Sequence, residues 1–173
     1  EHETLTYSFN VTVLEVADSD VSLLQSTFDY NGQEREPLVS LTGIAIELGK
    51  DYYVTYQNNV AAGEATATIT FRGNISGEFT RTFTILPIVI GEGATVDCTS
   101  SMTFTGLELN PVTVSVGDVQ LVRDVDYTIT FENNIYPGTA IAKVVGIGSV
   151  SGTANISFEI IKPVFTVTVF DQV

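Results

Sequence analysis

Asp51-Tyr-Tyr-Val-Thr-Tyr-Gln-Asn-Asn-Val-Ala-Ala-Gly63 returns 75 residues later as Asp126-Tyr-Thr-Ile-Thr-Phe-Glu-Asn-Asn-Ile-Tyr-Pro-Gly138. Asp, Tyr, Thr, the Asn pair and the final Gly keep their places in both copies. Self-similarity at a fixed period marks one supersecondary unit built more than once. Tyr52, Val54 and Tyr56 alternate with other residues, so they share one face of a strand. Asn58-Asn59 tolerates left-handed dihedrals and reverses the chain, and Gly63 frees the backbone for a return strand. The stretch therefore reads as a hairpin with its aromatic face turned inward.

Working outward, the return strand carries Ala65, Ala67, Ile69 and Phe71 on one face and Thr66, Thr68 and Thr70 on the other. Tyr127, Ile129 and Phe131, then Ala140, Ala142 and Val144, repeat this plan. Gly73-Asn-Ile-Ser-Gly77 and Gly146-Ile-Gly-Ser-Val-Ser-Gly152 read as turns, each leading into a closing strand, one through Phe83 to Ile85 and the other through Phe158 to Ile160. Upstream, Tyr30-Asn-Gly32 matches Phe104-Thr-Gly106, and Pro37 matches Pro111. A strand is expected over Val21–Tyr30 with Leu24, Phe28 and Tyr30 pointing one way, and further short strands over 38–41 and 44–48. Cys98 aligns with Leu24 and reads as a small buried hydrophobe.

At the ends, Leu5, Tyr7, Phe9 and Val11 alternate as in the closing strand of a repeat, with Phe9, Phe83 and Phe158 in register. This predicts a terminal strand over 1–12, repeat 1 over 13–87, repeat 2 over 88–163, and a terminal strand or the start of a further repeat over 164–173. Nowhere does a 3.6-residue apolar period persist. Val, Ile, Thr, Tyr and Phe dominate, with turn residues every 8–12 positions. The fold class is all-β, two sandwich modules in tandem with no substantial helix.

Composition narrows the function. The 173 residues carry 21 acids against 7 bases, a net charge of −14. There is no basic patch to neutralise phosphates, which argues against nucleic acid and against anionic membrane surfaces as partners. No apolar run is long enough for a spanning helix, so membrane insertion is not expected, and no signal peptide is visible. A single Cys allows no internal disulfide, and a single His, His2, leaves no Ser-His-Asp or Cys-His arrangement.

The pattern Gly49-Lys-Asp-Tyr-Tyr-Val-Thr-Tyr-Gln-Asn-Asn, then Gly63, Ala65, Gly73, Ser76-Gly77 and Phe83-Thr-Ile85, resembles the Ig-like tandem repeats of bacterial, mostly Gram-positive, secreted and cell-surface proteins. The likeness covers nearly the whole chain, twice. It departs at Asn74-Ile75 and Ser149-Val150, where an Asn-Tyr pair is usual, and at Val125, read as replacing the Gly before Asp126. The resemblance implies Ig-like modules, an extracellular location and a role as spacer, stalk or adhesive module. It brings no catalytic residues, and an enzyme is not expected.

Candidate chemistry is sparse. Asp18-Ser-Asp20 could offer clustered carboxylate oxygens to calcium near a module junction, together with Pro87, Ile88 and Glu92 as residues that set the junction. The same composition suits turns and strand starts, and no other cofactor is implied. Tyr53 and Tyr136 break the inward alternation or sit in a turn, so they are the aromatic candidates for a glycan or host-protein ligand. The expectation is a non-catalytic spacer whose partners are neighbouring repeats of the same chain. The alternatives are a glycan- or host-protein-binding module, or an ancillary domain of a large secreted glycosidase.

Overall fold

The structure, a computed structural model, describes residues 5–166. The chain is all-β, and among the described residues the one short helical turn is a 3-10 turn over Asp18–Asp20. It divides into two compact units, one of residues 1–28 and 34–85, the other of residues 29–33 and 86–173. Five residues flanked in sequence by unit 1 thus belong to unit 2.

Unit 1 contains β1 (Leu14–Glu15), β2 (Val21–Leu23), β3 (Thr27–Asp29), β4 (Val39–Leu41), β5 (Tyr52–Gln57), β6 (Gly63–Phe71), β7 (Ile75–Ser76) and β8 (Glu78–Leu86), with Asp29 and Leu86 at the limits of their strands counted in unit 2. A four-stranded sheet runs β3-β8-β6-β5, β2 pairs with β4, and β1 lies parallel to β7. The opening stretch is β5 with its return strand β6, paired Tyr52↔Phe71, Val54↔Ile69 and Tyr56↔Ala67. Ala65, Ala67, Ile69 and Phe71 are buried, as the alternation requires. Val21, Val39 and Leu41 of the β2-β4 layer pack with Tyr52, Ile69 and Phe71 of the larger sheet into one core. Burying one face of each layer against the other removes apolar surface from water, and that burial makes the sandwich.

Unit 2 contains β9 (Ile88–Val89), β10 (Thr95–Cys98), β11 (Ser101–Thr103), β12 (Val112–Val116), β13 (Val119–Gln120), β14 (Tyr127–Glu132), β15 (Gly138–Gly146), β16 (Val150–Ser151) and β17 (Thr153–Ile161). Its large sheet runs β11-β17-β15-β14, opposed by β10-β12-β13, with β9 parallel to β16. The order repeats that of unit 1. Ala140, Ala142 and Val144 of β15 are fully buried, and Ala140 packs with Leu109, Phe158 and Ile160.

Three expectations are corrected. The strand expected over Val21–Tyr30 is two strands, because β2 pairs with β4 while β3 joins β8 in the other sheet. A chain that changes sheets loses its alternation frame where it crosses, and Leu24 there is 66% exposed. Its counterpart Cys98 lies at the end of β10, half-buried against the unit 2 core. Secondly, residues 5–13 form no strand, and Leu5, Tyr7, Phe9 and Val11 are exposed. Alternation makes a strand only where a sheet edge accepts the backbone hydrogen bonds, and no described strand pairs with this segment. Thirdly, residues 44–48 are held by isolated bridges at Ile44 and Leu48 and not by a continuous strand. Residues 162–166 are irregular, and the rest of the expected terminal strand over 164–173 lies outside the described residues.

Candidate functional site

The recurring polar residues lie at the two ends of the central hairpin. At its start, one Asp126 carboxylate oxygen, Oδ2, accepts the Val122 N–H at 2.7 Å. In unit 1, Asp51 Oδ2 accepts the Glu47 N–H at 2.9 Å. Each Asp therefore closes the tight turn that leads into its hairpin. The left-handed position in this turn is Gly49 in unit 1 (φ 83°) and Asp124 in unit 2 (φ 65°). The residue standing for the glycine is thus Asp124, not Val125. Aspartate occupies the left-handed region more readily than most non-glycine residues, so the turn survives the exchange.

At the hairpin tip the two Asn of each pair have different tasks. Asn58 and Asn133 both sit at φ 57° and reverse the chain, as their type suggests. The second Asn is a staple. Asn59 Nδ2 donates to the Arg35 carbonyl at 3.2 Å, while the Arg35 N–H donates to the Asn59 carbonyl at 2.8 Å. Asn134 and Leu109 exchange the same two bonds at 3.2 and 3.1 Å. The tip is thereby fastened to the segment before Pro37 or Pro111. Tyr56 adds a hydroxyl bond to the Pro37 carbonyl at 2.9 Å, and burial, with the charge of Glu36 as a smaller cause, pushes its phenol up to about 12. Phe131 stands in its place in unit 2 and keeps the edge-to-face ring contact alone, with Phe158.

Unit 2 holds one feature that the hairpin pattern does not show. The Tyr30 hydroxyl donates to the other Asp126 oxygen, Oδ1, in a short hydrogen bond. Tyr30 is 6% exposed and Asp126 5%. The Tyr30 N–H also donates to the Leu86 carbonyl at 2.9 Å, so the turn of residues 29–33 is fixed by backbone and side chain together. Desolvation, then the bond to Asp126 and its charge, pushes the Tyr30 phenol up to about 12. Its signal in the sequence was the pairing of Tyr30-Asn-Gly32 with Phe104-Thr-Gly106, which reads from sequence as a turn only.

The four candidate residues fall as follows. Asp18 and Asp20 share the 3-10 turn, where the Arg81 guanidinium lies 3.0 Å from the Asp18 carboxylate and also binds the carbonyls of Asp18 and Val21. Asp18 thus already has a cationic partner, and among the described residues no group of three or more His, Cys, Asp or Glu comes together to hold a metal ion. Arg81 was marked only by a charge on the alternating face of β8, between Phe79 and Phe83. Tyr53 is 46% exposed on the threonine face of the large sheet, opposite Thr70. Tyr136, 73% exposed in unit 2, stacks on Phe104 with ring centroids 6.4 Å apart and planes 21° apart. Cys98 is desolvated, which raises its thiol above the ordinary range and keeps it in the poorly nucleophilic protonated form.

Comparison with protein-family models, with curated proteins and with solved structures finds no significant match.

Proposed function

We propose that this chain is a non-catalytic spacer of a bacterial-type extracellular protein, secreted or held at the cell surface, whose Ig-like modules carry load and present another domain. The observation that carries this reading is the direction of the outer strands within each unit. In unit 2, β9 runs parallel to β16, which leads into β17 after one residue, and β11 runs parallel to β17 itself. In unit 1, β1 runs parallel to β7, which leads into β8 in the same way. Tension entering through the first strand of a unit and leaving through the last loads these hydrogen bonds side by side, in shear, and does not unzip them singly. The recurring Asp and Asn residues support the reading too, since the bonds they make at the turn and the tip go to backbone groups and to Tyr30.

Single-molecule stretching of the chain between its ends tests this. Two discrete high-force ruptures are expected, because forced unfolding is governed by the unfolding barrier. Gradual extension at low force would rule the load-bearing role out.

The exposed Tyr136, stacked on the half-buried Phe104, favours a second reading, a glycan- or host-protein-binding module, because flat aromatic surface suits sugar faces. Binding on a glycan array, lost in Tyr136→Ala, would support it, and a blank array would remove it.

A further inference from the structure

Unit 2 has its Asp126 turn covered by a tyrosine turn, and unit 1 has the same Asp turn uncovered. In unit 2 the cover is Tyr30-Asn-Gly32, where a Cβ on Gly32 would lie 3.9 Å from Leu121 and 3.8 Å from the Tyr30 hydroxyl. Leu121 and Asp126 are both buried. In unit 1 the corresponding Ile46 and Asp51 are only half-buried. Everything else in the turn is reproduced. Gly49 N–H donates to the Tyr52 carbonyl as Asp124 N–H does to Tyr127, and Arg72 N–H donates to the Asp51 carbonyl as Ile147 N–H does to Asp126. Asp51 Oδ2 accepts the Glu47 N–H, and among the described residues no bond reaches Oδ1. Oδ1 is the oxygen that takes the phenol in Asp126.

We infer that the Asp51 turn of unit 1 is a receptor for a tyrosine turn of Tyr-x-Gly type presented by a like module. The phenol binds Asp51 Oδ1, and the glycine supplies the left-handed position of the turn, as Gly32 does at φ 76°. The residues just before β1 agree with this. Strand β9 is preceded by Phe83, Ile85 and Leu86, the last accepting the Tyr30 N–H, and strand β1 is preceded by Phe9 and Val11 in the same register as Phe83 and Ile85, exposed and unpaired with any described strand. A module whose closing strand is this segment would bring its own tyrosine turn to Asp51. Tyr30 is buried in its own unit and not free to serve a second copy, and Phe104, at the matching place, has no hydroxyl. The occupant is therefore a separate module bearing tyrosine. The inference rests on the Asp51 geometry and not on the load-bearing reading, which fails by a different measurement.

The probe is a peptide of residues 27–35 added to the intact 173-residue chain, read by amide NMR shifts. Saturable shifts at Glu47, Gly49 and Asp51 are expected. Tyr30→Phe in the peptide should weaken binding about tenfold, and Asp51→Asn in the chain should weaken it to a similar degree, the size of one hydrogen bond to a charged group. Equal binding by the Phe peptide, or no saturable shift at millimolar peptide, would overturn the inference. A dimer of the chain alone, lost in Asp51→Asn, would also overturn it, because a second copy would then cover the turn with some other segment.

Discussion

Tyr30 gives its hydroxyl hydrogen to Asp126, 96 residues farther along the chain, and both side chains are buried. Tyr30→Phe keeps the ring and removes that donor, leaving Asp126 Oδ1 buried without it. Stripping a buried acceptor of its donor costs about 1–3 kcal/mol. Urea unfolding of Tyr30→Phe should show a loss of that size with an unchanged m-value. In an Asp126→Ala background the same change should cost clearly less. Additive costs in this double-mutant cycle would mean that the bond contributes nothing.

Alkaline pH should weaken the fold in a defined window. Burial raises the phenols of Tyr30 and Tyr56 to about 12, while an unfolded chain ionises its tyrosines near 10. Below pH 10 both states hold the protons and the stability is fully present. Between about pH 10 and 12 the unfolded state releases protons that the folded state keeps, so stability falls as pH rises. Melting temperatures measured from pH 9 to 12 should fall across this window, and less steeply in the Tyr30→Phe, Tyr56→Phe double variant. A flat profile would contradict the burial argument.

The two Asn of each tip should respond differently to substitution. Asn58 and Asn133 serve through φ, so Asn58→Gly should be close to neutral and Asn58→Ala should cost about 1 kcal/mol. Asn134 serves through its amide, and Asn134→Ala removes the side-chain donor to the buried Leu109's carbonyl, at a cost of about 1–3 kcal/mol. Asn59→Ala should cost less, because Asn59 is only half-buried. Chemical denaturation of the variants decides, and equal costs for Asn59→Ala and Asn134→Ala would show that burial does not set the strength of the staple.

What the sequence made legible follows from periodicity. The faces of β6 and β15 read directly, because a strand that stays in one sheet keeps one alternation from end to end. The break at Leu24 did not, since a change of sheet leaves no mark in composition. The Asn pair was visible as a repeated motif and read as a whole as the reversal, which Asn58 and Asn133 alone perform. The staple of the second needed the position of a segment 24 or 25 residues upstream. Arg81 and Tyr30 were hidden for the same reason, because their partners are distant in sequence and a repeat pattern reports only what recurs. Neither recurs, as Ile156 and Phe104 take their places.

Among the glycines of unit 2, Gly146 is the one whose added Cβ would press hardest on backbone. A Cβ there would lie 2.7 Å from the Val150 carbonyl oxygen and 2.8 Å from the Ser151 nitrogen. These are backbone atoms of β16, so they cannot yield by a change of rotamer. They can move only by shifting β16 away from β15, and β16 holds β9 through the Ile88 N–H to Ser149 and the Ile90 N–H to Ser151, at 3.0 and 2.9 Å. Gly146→Ala should therefore cost about 1–3 kcal/mol, as overpacking does elsewhere. The loss should appear first as faster hydrogen exchange at Ile88 and Ile90. Gly148 is the control, since it sits at φ 60° with open space around it and Gly148→Ala meets only the left-handed penalty of about 1 kcal/mol. If Gly146→Ala leaves exchange at Ile88 and Ile90 unchanged, β16 can move without loosening β9, and the parallel pair is not the rigid clamp that a load-bearing module requires.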